Sequence, residues 1–283
     1  MATIVFALLS ATLYGSANFL GGLATRRSSV MPVMIFSQLA GLIMLLLVLP
    51  FLPTATATHA DFAWGALAGG ALGVGLMLLY QGLATGKMSV VAPVTAVLAV
   101  VVSAVAGIVL GDRLSMGAFL GVVLAMGAIT LISQDGAQKA TRKRGLGIAQ
   151  GLAAALSAGV LIGVFFAALK QSSPTSGLLP LVSARLAALV VLGAVAFWRR
   201  PPLRVGRDAV WLIVGGGALD ILANVLYLLA TRLGMLTIAA TLTSLYPAST
   251  ILLARLVLGE RLRRIKITGL ACAGVGVVLI GAG

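Results

Sequence analysis

The stretch Leu110-Gly111-Asp112-Arg113-Leu114 occurs again, with one acid exchanged for the other, as Leu258-Gly259-Glu260-Arg261-Leu262. Each copy follows a long apolar run and precedes another, and the match extends outward to Gly121 against Gly269. The two copies are 148 residues apart in a chain of 283 residues. This repetition predicts a duplicated membrane protein made of two similar halves.

The composition excludes a water-soluble protein. Of the 283 residues, 60% are hydrophobic and only 9% are charged, and the mean hydropathy is +1.15. An ordinary soluble domain has about 25% charged residues. Because so few charges could not cover a surface that faces water, the chain is predicted to be an integral membrane protein.

The net charge of +14 does not indicate a nucleic-acid partner, because the basic residues lie in short connections between apolar runs. The single cysteine, Cys272, excludes an intrachain disulfide and argues against a thiol–metal site. The sequence has no nucleotide-binding glycine loop, and its one histidine, His59, lies in a connection. We therefore expect no metal, no cofactor and no ATP-driven step within this chain.

The apolar runs predict ten membrane-spanning helices, since about 20 residues cross the hydrocarbon core. They cover residues 2–24, 32–52, 62–85, 88–110, 115–133, 146–169, 177–198, 209–231, 235–258 and 265–282. The first is expected to be a spanning helix and not a signal peptide, because no basic segment precedes it. The predicted domains are a first five-helix repeat at 1–133, a basic linker at 134–145 and a second repeat at 146–283.

The charges of the connections predict the orientation. Connections after the odd-numbered spans hold 15 Lys and Arg residues, whereas those after the even-numbered spans hold three. The positive-inside rule then places the odd connections in the cytoplasm and both termini outside it. Because each half has five spans, the two halves must be inverted relative to one another.

Ten spans in two inverted repeats, each with a Gly-acid-Arg-Leu turn between its fourth and fifth helices, resemble the EamA-type members of the drug/metabolite transporter superfamily. The most specific similarity runs from Tyr246-Pro247 through the second turn to Gly269. The first repeat departs from the pattern, with Asp112 in place of the usual Glu and Ala99 at the position of Pro247. The resemblance covers essentially the whole chain.

This resemblance implies an all-α protein of the bacterial inner membrane, with periplasmic termini according to the charge bias. It also implies a secondary transporter or exporter of small metabolites, similar to bacterial exporters of amino acids, aromatic ones included. The expected partners are a small-molecule substrate and the lipid bilayer, and the expected state is a monomer or a homodimer.

Polar and aromatic side chains inside the spans are the candidates for lining a substrate cavity. A single residue of this kind usually holds two helices together. Several of these share one helical face, however, in the first span and again in the eighth, and we expect most of them to face a common water-filled cavity. The predicted set is Ser10, Tyr14, Asn18, Gln38, Tyr80, Gln81, Ser157, Arg185, Asp220, Asn224, Tyr227 and Tyr246.

Asp220 and Arg185 are the two charges deepest in predicted spans. A carboxylate at such a depth costs about 3 kcal/mol on insertion scales, so it should face a partner or water. Asp220 can therefore be a cation or proton site, a buried partner of Arg185, or both. Arg185 can act indirectly through that pair, or it can bind a substrate carboxylate with two parallel N–H donors.

The Gly-acid-Arg turns invite a catalytic interpretation, because carboxylates perform acid–base chemistry. A structural role is favoured, since an acid and a base at a helix corner cap the helix ends and anchor the turn. The predicted turn residues are Asp112, Arg113, Glu260 and Arg261. Two prolines within spans, Pro247 and Pro93, are predicted to allow a bend.

The sequence thus predicts a ten-helix exporter that works by alternating access through a cavity between the repeats. One acid, one base, amides and tyrosines suit a zwitterion such as an amino acid. Two alternatives remain: efflux of lipophilic cations would need an unpaired, accessible Asp220, and a lipid scramblase would need a polar groove open to lipid. An enzyme is not expected, because the spans offer no cluster of nucleophile and base.

Overall fold

The computed structural model describes residues 1–25, 27–85, 88–133, 146–200, 202–259 and 264–282. The predicted linker at 134–145 and the turn residues Glu260 and Arg261 lie outside the described residues. The side chains of Tyr80 and Pro93 are also outside the described part, although the helices that carry them are within it.

In the described part of the chain, every element of regular structure is helical. The α-helices are α1 (Ala2–Thr25), α2 (Val30–Val48), α3 (His59–Thr85), α4 (Met88–Val109), α5 (Met116–Ser133), α6 (Leu146–Lys170), α7 (Leu179–Arg199), α8 (Arg207–Leu233), α9 (Leu236–Thr243), α10 (Tyr246–Leu258) and α11 (Arg264–Ala282). Eight segments are long and apolar enough to cross a membrane, with Leu236–Leu258 counted as one, and two more, Val94–Val109 and Met116–Ile132, are shorter. The predicted all-α fold of ten transmembrane helices is therefore confirmed.

The ninth predicted span is broken into two helices. α9 ends at Thr243 and α10 begins at Tyr246, with Pro247 in its first turn. Proline has no N–H, so the carbonyl of Thr243, four residues earlier, cannot receive its usual helical hydrogen bond. In the first half, where Ala99 replaces Pro247, α4 continues without interruption and passes through Pro93 as well. The interruption therefore lies where the two repeats differ.

The two halves interlock instead of packing as separate bundles. α1 packs on α8 and α3 packs on α6, while α2 packs on α8 and α7 packs on α3. α5 packs on α11, its own counterpart in the second half. When each helix is exchanged for its counterpart (α1 for α6, α2 for α7, α3 for α8), the same set of pairs results. The helix contacts therefore follow a two-fold relation between the repeats.

Two equivalent glycines bring these helices into backbone contact. A Cβ atom on Gly69 would lie 1.8 Å from the carbonyl oxygen of Ala184, and one on Gly217 would lie 2.3 Å from that of Ser37. The glycines are 148 residues apart and their partners 147 residues apart, so these are the same crossing in the two repeats. Only glycine permits such an approach, and the crossings α3–α7 and α2–α8 depend on it.

The connections that follow the even-numbered spans bind one another at one end of the molecule, which we call the capped end. Lys170 donates to the carbonyl oxygens of Thr231 and Gly234, where α8 ends. Asp112 Oδ2 accepts hydrogen bonds from the N–H of Thr237, at 2.8 Å, and from its hydroxyl, at 2.9 Å, where α9 begins. Both contacts are electrostatically favourable, because the helix dipole attracts a cation at the helix C-terminus and a carboxylate at the N-terminus.

A second chain of contacts extends the capped end. Arg232 Nη2 donates to the carbonyl oxygen of Ser173 at 3.0 Å, and the N–H of Ser173 donates to Asp61 Oδ1 at 2.6 Å. Asp61 is in the first turn of α3 and also accepts from the N–H of Thr58 at 2.8 Å. Loops from both halves are thus joined by hydrogen bonds at this end. Arg113, beside Asp112, is exposed.

Candidate functional site

Arg185 and Asp220 form a salt bridge inside the helical body. Arg185 lies well inside α7 and Asp220 lies in the middle of α8. Arg185 Nη2 donates to Asp220 Oδ2, and Nη1 of the same guanidinium donates to Gln38 Oε1 on α2. The salt bridge is therefore within the second half, while Gln38 connects it to the first half. We call Gln38, Arg185, Asp220 and Asn224 the central site.

Gln38 and Arg185 occupy the same position in the two repeats, 147 residues apart. Residues related by a two-fold axis can touch each other only if both lie close to that axis. Their hydrogen bond therefore places the central site at the pseudo-two-fold axis between the halves. The glycine crossings lie one residue before each of them, since Ser37 and Ala184 are the partners there.

Burial differs sharply between the two charged side chains. Arg185 is only 5% exposed, whereas Asp220 is 28% exposed. Gly41, one helical turn after Gln38, lies beside the guanidinium, since a Cβ there would be 3.5 Å from Arg185 Cζ and 3.1 Å from the carbonyl oxygen of Gly217 on α8. The base is thus enclosed between α2 and α8, and the acid keeps an open side.

Asn224 fixes the carboxylate from within α8. Its Nδ2 donates to the carbonyl oxygen of Asp220 at 2.7 Å and approaches Asp220 Oδ2 at 3.4 Å. The two residues are four apart, so they share one helical face. Asn224 is 3% exposed. The salt bridge and Asn224 therefore lie on α7 and α8, the two helices whose positions depend on the glycine crossings.

A narrow pocket reaches the central site from the side of α3, α6 and α7. Three members of the site line it together with apolar side chains of the surrounding helices. The lining residues are Gln38, Gly69, Leu72, Phe165, Leu181, Ala184, Arg185, Ala188 and Asn224. The pocket thus places hydrogen-bonding groups beside an apolar wall, and in this conformation it has room for about one water molecule.

Two tyrosines lie at the contact between α1 and α10. The ring centroids of Tyr14 and Tyr246 are 6.5 Å apart with an interplanar angle of 59°. The Tyr14 hydroxyl is buried and, among the residues that the structure describes, has no hydrogen-bond partner. It lies within electrostatic reach of Asp220 and of Arg185. Tyr14 therefore brings an unsatisfied polar group and an aromatic ring to the neighbourhood of the central site.

Other predicted cavity residues lie elsewhere. Ser10 and Tyr227 are fully enclosed in helix packing, where Ser10 donates to the carbonyl oxygen of Ala223 and Tyr227 to that of Phe166, each at 2.8 Å. These two side chains reach no open space in this structure. The remaining described members of the set are exposed on their helices: Asn18, Gln81 and Ser157.

Sequence reasoning missed three residues that shape the site. Gly41 follows Gln38 by three residues and therefore lies on the same helical face, so its position beside the guanidinium was detectable. Leu72 and Phe165 line the pocket, but nothing distinguishes them from the many other apolar residues of their helices.

Inverted apolar repeats that interlock around a charged site near their two-fold axis define a multi-pass membrane transporter of small molecules. Comparison with known proteins agrees. The chain belongs to the EamA-like transporter family, whose model matches residues 1–134 and 145–282.

One solved structure, described only as the crystal structure of a protein, superposes with a TM-score of 0.75 at 14% sequence identity. The superposition covers 98% of this chain and 95% of the other. At that identity the likeness establishes the fold alone. No curated protein matches the chain.

Proposed function

We propose that the protein exports amino acids, aromatic ones included, across the bacterial inner membrane by alternating access. The observation that carries this proposal is the central site itself: a hydrogen-bonded acid, base and two amides where the repeats meet. Ionisable groups in membrane-embedded helices are costly and usually mark a substrate or ion pathway. A zwitterion presents one charge of each sign and leaves a neutral site neutral.

The contacts of Arg185 suggest how the two halves move. Its salt bridge with Asp220 is internal to the second half, whereas its bond to Gln38 crosses to the first. Since α2 packs on α8 and α7 packs on α3, movement of α3 and α7 against α2 and α8 would change both contacts of Arg185. The break between α9 and α10 at Pro247 gives the second half a place to bend, and it is our candidate hinge.

The apolar side of the pocket favours a substrate with an apolar part. Phe165 and Leu72 line the pocket together with the polar groups, and burial of an apolar side chain contributes about 25 cal/mol per Å². We expect the apolar part of an amino acid to lie against these side chains in a conformation in which the pocket is wider than it is here.

The charge bias of the connections supports an orientation with both termini in the periplasm, so the capped end would also face the periplasm. The capped end is joined by hydrogen bonds between loops of both halves. A conformation closed on the periplasmic side is the one that an exporter needs to load from the cytoplasm.

The lipophilic-cation alternative is less favourable, because Arg185 already neutralises Asp220 and a bound cation without a carboxylate would leave one net positive charge in the membrane interior. Counterflow in proteoliposomes decides between the two. Liposomes loaded with one unlabelled amino acid should accumulate the same labelled amino acid from outside, and a panel of amino acids identifies the substrate.

Liposomes that contain the Asp220→Asn variant, reconstituted to the same protein content, serve as the control. Accumulation of a labelled lipophilic cation, with no counterflow of any amino acid, would contradict the proposal.

A further inference from the structure

The two charges of the central site differ in their exposure. Arg185 is held from two directions and is nearly sealed, at 5% exposure, while Asp220 is 28% exposed. A carboxylate open to hydrocarbon would be costly, so its open side has to face a water-filled space inside the protein. The more exposed charge of the site is therefore the negative one, although Asp220 does not line the pocket described above.

The hydrogen bonds of Asp220 leave one oxygen available. In the described part of the chain, Arg185 and Asn224 both reach the Oδ2 atom, and Oδ1 accepts no hydrogen bond. An ionised carboxylate can accept about four hydrogen bonds. Oδ1 is thus an acceptor that no described residue uses, on a carboxylate whose orientation is already fixed.

Tyr14 supplies a second unsatisfied group close to the same carboxylate. Its buried hydroxyl has no partner among the described residues and is within electrostatic reach of Asp220. Its ring packs at 6.5 Å from that of Tyr246. Aromatic ring faces attract organic ammonium groups, so Tyr14 and Tyr246 are candidates to contact one that is bound at Asp220.

From these observations we infer that Asp220, and not Arg185, contacts the transported molecule, and that it binds the substrate's ammonium group through Oδ1. Arg185 and Gln38 are positioning residues that fix the carboxylate and balance its charge. This inference rests on the proposed function, which it deepens by naming the end of the substrate that is recognised. It also departs from the sequence-based alternative in which Arg185 binds a substrate carboxylate.

The charge balance favours a zwitterion over a simple amine. Arg185 and Asp220 together are neutral, so a bound amine leaves one net positive charge in the membrane interior, and a bound carboxylic acid anion leaves one net negative charge. An amino acid leaves none. A bound amine and a bound carboxylic acid anion each leave one net charge in the membrane interior, at a similar cost in free energy. The contact at Asp220 therefore decides which of the two binds more tightly.

The test uses three matched probes on the purified full-length protein in detergent. Phenylalanine carries both charged groups, 2-phenylethylamine carries only the ammonium group, and 3-phenylpropionate carries only the carboxylate. Binding is measured as ligand-dependent thermal stabilisation, which does not require transport. We expect phenylalanine to bind best, and 2-phenylethylamine to bind about tenfold or more tightly than 3-phenylpropionate, as a hydrogen bond to a charged group allows.

Two variants separate contact from positioning. In Asp220→Asn the preference for 2-phenylethylamine over 3-phenylpropionate should disappear. In Arg185→Gln all affinities should fall, while the preference for the amine remains. If Arg185→Gln does not fold, the double variant Asp220→Asn with Arg185→Gln replaces it, and it should bind both half-molecules equally.

Each outcome decides the matter. Tighter binding of 3-phenylpropionate, or equal binding of both half-molecules to the unaltered protein, overturns the inference while the proposed amino-acid export stands. Binding of tetraphenylphosphonium alone, lost in Asp220→Asn, keeps the cation-binding role of Asp220 and ends the proposal of amino-acid export. No binding by any probe overturns both.

Discussion

The two repeats share their packing but not their chemistry. The glycine crossings are equivalent, with Gly69 against Ala184 in one and Gly217 against Ser37 in the other. Three residues after each glycine, however, the first repeat has Leu72 and the second has Asp220. Packing therefore constrains equivalent positions in the same way, while the polar positions have diverged.

The same contrast recurs at the other functional positions. Seven residues after the glycines, Leu76 corresponds to Asn224, and the uninterrupted α4 corresponds to the broken α9 and α10. The charged groups and the break are in the second half, and the first half contributes Gln38. We conclude that the first repeat acts mainly as a frame, and that the second carries the groups that bind and bend.

The inversion of the two halves gives the largest expected effect, because it is all-or-none. Alkaline phosphatase, which is active only outside the cytoplasm, should be active when fused at the C-terminus and inactive when fused in the linker at 134–145. A fluorescent reporter that folds only in the cytoplasm should give the opposite pattern. Fluorescence at the C-terminus would reverse the assigned orientation, and the same result at both sites would contradict the inversion.

Breaking the central salt bridge tests whether its two charges act as a unit. Asp220→Asn should destabilise the protein by about 3–5 kcal/mol, because it leaves Arg185 as an unpaired buried charge, and Arg185→Gln should cost less, because Asp220 is partly exposed. The double variant should lose less than the sum of the two. Thermal unfolding in detergent measures all three, and Gln38→Leu, which removes no charge, is the comparison from the first repeat. Strictly additive losses would rule out the coupling.

Gly69→Ala and Gly217→Ala test whether the two repeats are equivalent in packing. Each new Cβ would meet a backbone carbonyl oxygen, at 1.8 Å and 2.3 Å, and overpacking of this kind costs about 1–3 kcal/mol or more. Gly70→Ala is the matched control in the same helix, because a Cβ there meets nothing within 4 Å. The yield of monodisperse protein measures the effect. A clear difference between Gly69 and Gly217 would mean that only one crossing holds the halves together.

Asp112→Asn should give the smallest effect. It keeps the shape of the side chain at the start of α9 but removes the charge, which contributes about 0.3–1 kcal/mol at a helix N-terminus. Asp112→Ala should cost about 1 kcal/mol, since it removes the acceptor for the N–H of Thr237 as well. Thermal unfolding resolves the two, with Arg113→Gln at the neighbouring exposed position as the control. If Asp112→Asn, Asp112→Ala and Arg113→Gln were equally stable, the contact between Asp112 and Thr237 would not help to close the capped end.

The sequence predicted the helices well because the membrane thickness sets their length and the charges of the connections mark their ends. It also identified Asp220 and Arg185, since buried charges are rare enough to be conspicuous. The break before α10 was predicted only as a bend, because a proline in a span does not reveal whether neighbouring contacts repair the helix.

Helical spacing identified residues that share a face, but it did not show whether that face is open or covered. Ser10 and Tyr227 share faces with Tyr14 and Asp220, but they are enclosed by α8 and by α6 and not open to a cavity. A shared face shows which residues point in one direction, and only the neighbouring helix decides whether that direction is filled. The pocket residues Leu72 and Phe165 were invisible for the same reason.

The contact between Gln38 and Arg185 has a consequence for the origin of the protein. In a symmetric dimer of identical five-helix chains, these two positions would carry the same residue and face each other across the axis. Two arginines there would repel, and two glutamines could pair but would bring no charge. Only when the two copies can differ in sequence can one become arginine while the other remains its acceptor. Duplication followed by divergence therefore made possible a charged centre that no homodimer of either half could hold.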